Sequence, residues 1–286
     1  MSMLEKAGRE KFSIKNIFKT IKYRINFIKE NPTYFDPDGL LIYVGGQGSG
    51  KTLSAVNYLY KILELYPKAK IVTNVILEQY PVVTYEQFKQ KFRNRMNDLL
   101  EYMGDTEMEE LMYKWYIEEN RVFMFLDNDD FVKYNNGQEG VIFFVDEIQL
   151  YLNSLESKNI NMETVTQISQ QRKQRKHIVA TSQVFGRMAK PLREQFSNVV
   201  ACKCIANVIQ NNALIDRDSL DNDDSTSTNI TGKIKRRFIW THSPKMYKRY
   251  DTYAVIERGK FVSGEKQKQG VYGNDDRLPT DNKHVS

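Results

Sequence analysis

The sequence Leu40-Leu41-Ile42-Tyr43-Val44 leads directly into Gly45-Gly46-Gln47-Gly48-Ser49-Gly50-Lys51-Thr52, and this junction decides the fold. The octapeptide fits the pattern G-x-x-x-x-G-K-[ST] at every fixed position. The apolar pentapeptide predicts a buried strand, and residues 51–65, with apolar side chains at helical spacing, predict a helix. Glycine permits the dihedral angles and the close approach that a ring of backbone amides needs around a phosphate. The junction therefore predicts a phosphate-binding loop between a strand and a helix.

Each fixed position of this motif has a chemical role. Lys51 would bring a positive charge to the β- and γ-phosphates of a nucleotide, and the Thr52 hydroxyl would bind Mg²⁺. The helix that begins near Lys51 directs its free amides and the positive end of its dipole at the same anion. We therefore expect ATP and Mg²⁺ as ligands. The predicted nucleotide-binding residues are Gly45, Gly46, Gln47, Gly48, Ser49, Gly50, Lys51, Thr52 and Leu53.

Strand and helix patterns alternate along the rest of the chain. Further strands are predicted at 71–75, 141–145, 177–182, 199–209 and 238–241, and helices at 84–119, with a break at Gly104-Asp105, and at 162–175. This order predicts an α/β fold, a P-loop NTPase with a mainly parallel sheet flanked by helices. A helical insertion at about 84–135 and a β-rich C-terminal extension complete the prediction. Ligands of such sheets bind beyond the carboxyl ends of the strands.

Two acidic residues, Asp146 and Glu147, end the apolar strand 141–145. Asp146 would hold Mg²⁺ through its water shell, and Glu147 would activate the attacking water as general base. The alternative is a strand end with two solvated acids. The next predicted strand ends at Gln183, whose amide would hydrogen-bond the γ-phosphate or the attacking water.

A basic run, Gln170–Lys176, lies at the predicted end of helix 162–175. Arg172, with Arg175 as the second candidate, would act as an arginine finger that reaches the γ-phosphate held by a neighbouring subunit. The alternative is structural, because lysine and arginine stabilise helix C-termini without any catalytic role.

These elements resemble the Zot-like group, named for the zonula occludens toxin domain, within the FtsK/HerA superfamily of DNA-pumping ATPases. The resemblance covers residues 38–205 and includes Thr73-Asn74, Asp146-Glu147-Ile148-Gln149, Ser169-Gln170-Gln171-Arg172 and Thr181-Ser182-Gln183. It implies that Lys51, Thr52, Asp146, Glu147 and Gln183 carry the nucleotide chemistry, with Arg172 as the finger, in a homo-oligomer that is hexameric by analogy. Filamentous-phage members typically have a transmembrane segment after the ATPase domain, and this sequence has none, which favours genome packaging or mobile-element DNA transfer.

The composition of the chain excludes several classes of protein. Hydrophobic residues are 41% and charged residues 27% of the 286 residues, which is typical of globular proteins and excludes a wholly disordered chain. No apolar run approaches the ~20 residues of a spanning helix, and no signal peptide opens the chain, so we expect a cytoplasmic protein, in the host cytoplasm if it is viral. Cys202 and Cys204 are too few for a disulfide framework.

The two ends of the chain differ from its centre. Residues 1–37 predict a basic amphipathic helix, residues 38–256 the ATPase domain, and residues 257–286 a disordered tail. The helix would pack on the main domain or a neighbouring subunit, or contact an anionic membrane surface, DNA, or a capsid or portal. A polar hairpin is predicted at about 215–233.

The net charge of +6 favours polyanionic partners. Cations that would hold DNA phosphates without reading bases are Lys233, Lys235, Arg236 and Arg237 beside the hairpin, and Lys245, Lys248 and Arg249 near Tyr247 and Tyr250. The alternative is a strand edge protected by charge. The sequence thus predicts a DNA-translocating ATPase; other hypotheses are a replication helicase or helicase loader, a nucleotide-gated assembly or membrane-surface protein without catalysis, and a small-molecule kinase.

Overall fold

The chain divides into two units, Met1–Tyr34 and Phe35–Ser286, which are described separately. The structure is a computed structural model that describes residues 13–37, 39–92, 104–153, 162–220, 232–251, 255–257 and 260–262.

The second unit is built on an eight-stranded sheet. Its strands are β1 (Leu40–Val44), β2 (Lys70–Thr73), β3 (Val122–Met124), β4 (Val141–Val145), β5 (Lys176–Ser182), β6 (Asn198–Ile205), β7 (Ile209–Ile215) and β8 (Ile234–Thr241). Their order in the sheet is β3-β2-β4-β5-β1-β6-β7-β8. The strands from β3 to β6 are parallel, and β7 and β8 are antiparallel additions. The predicted α/β fold with a mainly parallel sheet is confirmed.

Helices connect these strands and cover the sheet. The first unit contains α1 (Ile14–Glu30), and the second contains α2 (Lys51–Leu65), α3 (Tyr85–Lys91), α4 (Asp105–Glu119), α5 (Asp130–Lys133), α6 (Met162–Ser169), α7 (Lys190–Arg193) and α8 (Pro244–Tyr247). Short 3₁₀ turns lie at Gly137–Glu139, Ile148–Leu150, Phe185–Arg187 and Arg217–Ser219. Within the described residues, none of these helices combines the length and apolarity that a bilayer span requires.

The central strands are buried on both faces because their sequences are continuously apolar. Every residue of β1, β4 and β5 is buried. Successive side chains of a strand point to opposite faces, so Phe143 belongs to one core cluster and Phe144 to the other. The Phe144 cluster includes Leu59 and Leu63 of α2. This double burial fixes the carboxyl ends of the central strands, where the candidate site lies.

The region predicted as a helical insertion also contains a strand. Within 84–135, β3 pairs in parallel with β2 and forms the end of the sheet. Phe123 is fully buried, and the Arg121 guanidinium donates to the carbonyl of Ala69 at 3.0 Å, which aligns the two strands. Three residues give too short a pattern for alternation to be read from the sequence. The part of the insertion from 93 to 103 lies outside the described residues.

The predicted helix 162–175 ends early, at Ser169. Residues 170–175 form turns, Arg175 has a left-handed φ of 57°, and the Lys176 amide donates to the Gln171 carbonyl at 2.9 Å. The turn is required because Lys176 must already pair with Val141 as the first residue of β5. The basic run therefore occupies a turn rather than a helix end.

The predicted single strand 199–209 is instead a hairpin of β6 and β7. Ala206 and Asn207, with φ values of 50° and 57°, reverse the chain in the left-handed region. β7 and β8 are the antiparallel arms of the predicted polar hairpin, whose tip at 221–231 lies outside the described residues. β9 (Val255–Glu257) ends at the first residue of the predicted tail and pairs in antiparallel with β10 (Lys260–Val262) within the tail; residues 263–286 lie outside the described residues.

The first unit is a capped amphipathic helix, α1. The Ser13 side chain accepts the Asn16 amide at its start, and none of its residues is buried. Six apolar side chains, which recur at helical spacing, are 43–68% exposed: Ile14, Ile17, Phe18, Ile21, Ile25 and Ile28. No acidic residue lies in its first turn, and Lys29 lies in its last.

Candidate functional site

The site lies at the carboxyl edge of the sheet. Because β1, β4 and β5 are parallel neighbours, the residues that follow them meet at one edge. The phosphate loop follows β1, Asp146 follows β4, and Gln183 follows β5. The structure therefore brings together the residues that the sequence predicted at strand ends.

The phosphate loop has the backbone that its glycines permit. Gly48 and Gly50 have φ values of 75° and 77°, and Gly50 is the N-cap of α2. A Cβ at Gly45 would lie 2.6 Å from Ser49 Oγ and 2.8 Å from the Cys202 carbonyl oxygen, so this position admits no side chain. Among the residues that the structure describes, the buried Ser49 Oγ has no hydrogen-bond partner. A tight loop with an unsatisfied hydroxyl at the start of a helix fits a phosphate group.

The Asp146 carboxylate faces the helix that the phosphate loop opens. The Thr52 hydroxyl donates to Asp146 Oδ1 at 2.9 Å, and the Thr181 hydroxyl donates to the same oxygen. Burial raises the pKa of Asp146, and the negative charge of Glu147 adds to the rise, whereas the two hydroxyls oppose it. The described residues contain no cluster of three His, Cys, Asp or Glu side chains. One carboxylate and one hydroxyl fit Mg²⁺, which keeps water and phosphate oxygens as its other ligands.

Asn74 fixes the backbone at Asp146, a role that sequence reasoning missed. Its amide nitrogen donates to the Asp146 carbonyl at 2.9 Å, and its amide oxygen accepts the Asp146 N–H at 2.8 Å. Asn74 is only 2% exposed. The signal was present in the sequence, since Asn74 lies at the end of a predicted strand, directly after β2, but only the strand order showed that β2 lies beside β4.

Glu147 has a left-handed backbone, with φ 51° and ψ 49°, which is uncommon for a non-glycine residue. Its N–H donates to Thr181 Oγ1 at 2.9 Å and holds this conformation. Glu147 Oε1 then lies 2.9 Å from Lys51 Nζ, and it also accepts a hydrogen bond from the side-chain amide of Gln183 at 3.1 Å. Gln149 donates to the other oxygen.

The pKa of Glu147 is lowered by its partners. Burial would raise the pKa, but hydrogen bonds from Gln149, Lys51 and Gln183, and the charge of Lys51, together outweigh burial. Lys51, the first residue of α2 after the phosphate loop, is itself only 7% exposed. Glu147 thus occupies the position next to Lys51 where an anion would bind.

Arg172 and Arg175 lie away from this cluster. Both precede β5, so they are at the amino edge of the sheet, opposite the phosphate loop. Each has a side-chain nitrogen 3.9 Å from Asp36 Oδ1. The Arg172 side chain is 78% exposed and that of Arg175 24%. Within one chain neither residue reaches Lys51, and Arg172 is the more accessible.

The predicted cations near the C-terminal strands have different surroundings. Lys235 pairs with Asp216 at 3.0 Å, and the Arg236 guanidinium lies over the Phe238 ring. Arg249 donates to Asn57 Oδ1 at 3.0 Å and stacks on Tyr60, with 4.7 Å to the ring centroid, so it joins α2 to the C-terminal segment. Arg249 is therefore a structural residue, whereas β8 exposes its cations.

Gln210 is a second contact that the sequence did not indicate. It is fully buried on β7, and its side-chain amide donates to the carbonyl of Ser49 in the phosphate loop at 2.9 Å. No motif marks this position, because the contact depends on how the antiparallel hairpin lies beside β1.

The mainly parallel sheet, and the glycine loop between β1 and α2, define an α/β P-loop NTPase fold. No protein-family profile and no curated protein sequence matches the chain. Among solved structures, it is similar to the N-terminal domain of zonular occludens toxin from Neisseria meningitidis, with 15% identity and a TM-score of 0.46 over 74% of this chain and 98% of that chain. It is also similar to the genome packaging NTPase B204 from Sulfolobus turreted icosahedral virus 2 in complex with ATP-gammaS, with 12% identity and a TM-score of 0.40 over 58% and 75% of the two chains. The flagellar accessory protein FlaH from Methanocaldococcus jannaschii gives 12% identity and a TM-score of 0.37 over 76% and 95%.

Both kinds of protein that the sequence resembles, a zonula occludens toxin domain and a viral genome-packaging NTPase, are thus among the structural neighbours. The likeness is one of fold.

Asp146→Asn tests the electrostatic cost of this site. Because burial raises the pKa of Asp146, folding disfavours its charged form. As the pH rises from about 4, the ordinary pKa of aspartate, to the raised pKa of Asp146 in the folded protein, the wild type loses folding stability. The variant has no charge at this position and does not lose this stability. We expect the thermal unfolding temperature of the variant, without Mg²⁺ or nucleotide, to exceed that of wild type by more at pH 7 than at pH 4.

Asp130→Asn is the matched control for a buried carboxyl with other partners, because burial also raises the pKa of Asp130, whose carboxylate accepts the backbone amides of Leu126 and Asp127. A melting temperature of Asp146→Asn that falls below wild type at pH 7, with no such fall for the control, would show that the Asp146 charge stabilises the fold.

Proposed function

We propose that this chain hydrolyses ATP and uses the energy to translocate DNA as a homo-oligomeric ring, in viral genome packaging or assembly or in mobile-element DNA transfer. One observation carries the catalytic part of the proposal. Lys51 Nζ and the Gln183 amide both contact Glu147 Oε1, at 2.9 and 3.1 Å, beside a phosphate loop and the Thr52–Asp146 pair. These contacts support the roles we propose for Lys51 as phosphate ligand, Glu147 as base and Gln183 as polar sensor.

Binding of ATP would change the partners of Glu147. The γ-phosphate would compete with Glu147 for Lys51, because both are anions and Lys51 Nζ already lies 2.9 Å from Glu147 Oε1. When Lys51 turns to the phosphate, Glu147 loses an attraction that lowers its pKa, so its pKa rises and it becomes a stronger base. Gln183, already within hydrogen-bond distance of Glu147, would orient the attacking water or the γ-phosphate. When bound, Mg²⁺ would neutralise phosphate charge, held by Thr52 and Asp146.

Lys51→Ala tests the hydrolysis. We expect phosphate release to fall about 100- to 1000-fold, because one charged donor to the transition state is removed. The far-ultraviolet circular dichroism spectrum should be unchanged. Lys61→Ala is the matched control, on the exposed side of the same helix. Full ATP turnover by Lys51→Ala would refute the assignment of the site.

Arg172 would serve a neighbouring subunit. It lies at the amino edge of the sheet and is mostly exposed, so it can complete only a site on another chain. The guanidinium would stabilise charge on the γ-phosphate in the transition state. Arg175 is the weaker candidate, because its guanidinium is also directed to the Phe35 carbonyl, at 3.5 Å.

Mixing two inactive variants tests a finger in trans. Arg172→Ala should lower turnover by about 1000-fold or more, and Glu147→Gln should abolish it by removing the base. In mixed rings, a subunit with Arg172→Ala retains Glu147 and receives the intact Arg172 of a Glu147→Gln neighbour. We expect partial ATPase activity that peaks at intermediate ratios.

Lys173→Ala, which removes the adjacent exposed cation, is the control and should be active without mixing. If no ratio of Arg172→Ala to Glu147→Gln restores activity, Arg172 does not act across an interface.

DNA contact would use the exposed cations of β8. Ile234–Thr241 is exposed over most of its length and contains Lys235, Arg236 and Arg237. Such a strand, at the end of the sheet, can follow a phosphate backbone without reading bases. Contact of a membrane surface, capsid or portal with α1 stays a prediction, supported by the exposed apolar stripe of this helix.

The salt dependence of DNA binding tests this contact. We expect ATPase activity to rise with DNA, and log K for DNA binding to fall linearly with log salt. Arg236→Ala should lower the slope by about 1, as for one phosphate contact. Lys68→Ala is the control and should leave the slope unchanged, because the Lys68 side chain is also exposed, at 59%, but does not belong to β8.

An unchanged slope for Arg236→Ala would contradict the β8 contact. Unwinding of forked DNA without movement on intact duplex would favour a replication helicase or loader. ATP binding with no turnover under any DNA condition would favour a nucleotide-gated assembly protein.

A further inference from the structure

The residues expected to act on the γ-phosphate lie on one side of the phosphate loop. Glu147 follows β4 and Gln183 follows β5, and both lie on the β4–β5 side of β1 with Lys51. A triphosphate whose γ-phosphate faces these residues must leave the loop on the opposite side, toward β6, β7 and β8. Neighbouring strands are ~4.8 Å apart, so β7 lies on the order of 10 Å from β1.

At the carboxyl edge on that side, three segments meet. β6 is parallel to β1 and ends at Ile205, the turn Ala206–Val208 follows, and β8 ends at Thr241 beside this turn. The His242 N–H donates to the Val208 carbonyl at 2.8 Å and holds the end of β8 against the turn. Val208 is 53% exposed. This edge is therefore a fixed surface beside the phosphate loop.

Gln210 joins this surface to the loop. Besides its bond to the Ser49 carbonyl, its amide donates to Asn212 Oδ1 at 2.7 Å, and Asn212 donates to Ser54 Oγ of α2 at 3.0 Å. A Cβ at Gly50 would lie 2.1 Å from Gln210 Oε1, so loop and strand are in direct contact. These buried bonds fix the distance between the phosphate loop and the β6–β7 turn.

The bonds of Gln210 continue into an aromatic pair. Since Gln210 Oε1 can only accept, His242 Nε2, 3.2 Å away, carries the proton of this bond. His242 Nδ1 lies 2.5 Å from the Tyr247 hydroxyl, which donates to the carbonyl of Asn207 in the β6–β7 turn at 3.2 Å. The two rings contact at 5.6 Å between centroids and 78°, and Tyr247 remains 44% exposed. The phenol is thus held at its polar tip while much of the side chain faces solvent.

We propose that Tyr247 and His242, together with the β6–β7 turn, bind the nucleobase of the nucleotide, with Gln210 positioning the phosphate loop relative to them. The inference rests on the proposed binding of ATP by the loop. An aromatic ring held by its hydroxyl offers a face for stacking of a base at little entropic cost. The contact recognises the aromatic base and not the phosphates, so it discriminates nucleotides from inorganic polyphosphates.

Calorimetric titration with Mg·ATP and with magnesium tripolyphosphate tests the proposal, because the second ligand has no nucleoside. For Tyr247→Ala we expect ATP to bind about five- to 100-fold more weakly, the range for loss of one stacked aromatic ring. Tripolyphosphate should bind as it does to wild type. Tyr247→Phe keeps the ring and should stay within a few-fold of wild type for ATP.

Ile239→Ala is the matched control. Ile239 lies on β8, close in sequence to His242 and Tyr247, and its apolar side chain is 68% exposed and forms no hydrogen bond with them. If Tyr247→Ala weakens ATP and tripolyphosphate equally, Tyr247 acts on the loop and the nucleobase assignment is overturned. It is also overturned if ATP affinity is unchanged. Wild type that binds neither ligand would instead refute the proposed function itself.

Discussion

The carboxylate of Asp146 is the constraint on which the site depends. Its side chain accepts the hydroxyls of Thr52 and Thr181, and its backbone is held on both sides by Asn74. Three segments are thereby fixed to one residue, at Thr52 after β1, at Asn74 after β2 and at Thr181 within β5. A buried acid is costly unless it is hydrogen-bonded, and here the hydrogen bonds do not fully remove the cost, since the pKa remains raised. The fold thus holds a carboxyl group beside the phosphate loop at a cost to its charged form.

The next residue shows the opposite electrostatics. The Glu147 side chain is also largely buried, at 15% exposure, yet its pKa is lowered, because Lys51 and two glutamine amides surround it. The left-handed backbone at Glu147 separates the two adjacent carboxylates and directs one to Thr52 and the other to Lys51. Two neighbouring acids are therefore given different partners by a single backbone conformation, held by the Thr181 hydroxyl.

Sequence reasoning found the parts of the site that follow from local rules. The bounds of β1 and α2 were predicted to the residue, because a buried strand, a glycine loop and an amphipathic helix each have a local pattern. Asn74 and Gln210 were not assigned their roles, because each acts on a residue far along the chain, at 72 and 161 positions' separation. The hairpin turn at Ala206-Asn207 was missed since neither residue is glycine, and the short strand β3 since three residues carry no period.

The strand β5 connects the candidate site to the turn that contains Arg172 and Arg175, so a movement at one end is transmitted to the other. This strand is buried along all seven residues, with Gln183 directly after it and the turn of Arg172 and Arg175 directly before it. Close-packed interiors are nearly incompressible, so a displacement of Gln183 cannot be absorbed within the strand. The strand, on the order of 20 Å long, would move as a rigid rod and shift the exposed guanidinium at its far end. A displacement of Gln183 would then be expressed as a change of position at the opposite edge of the same sheet.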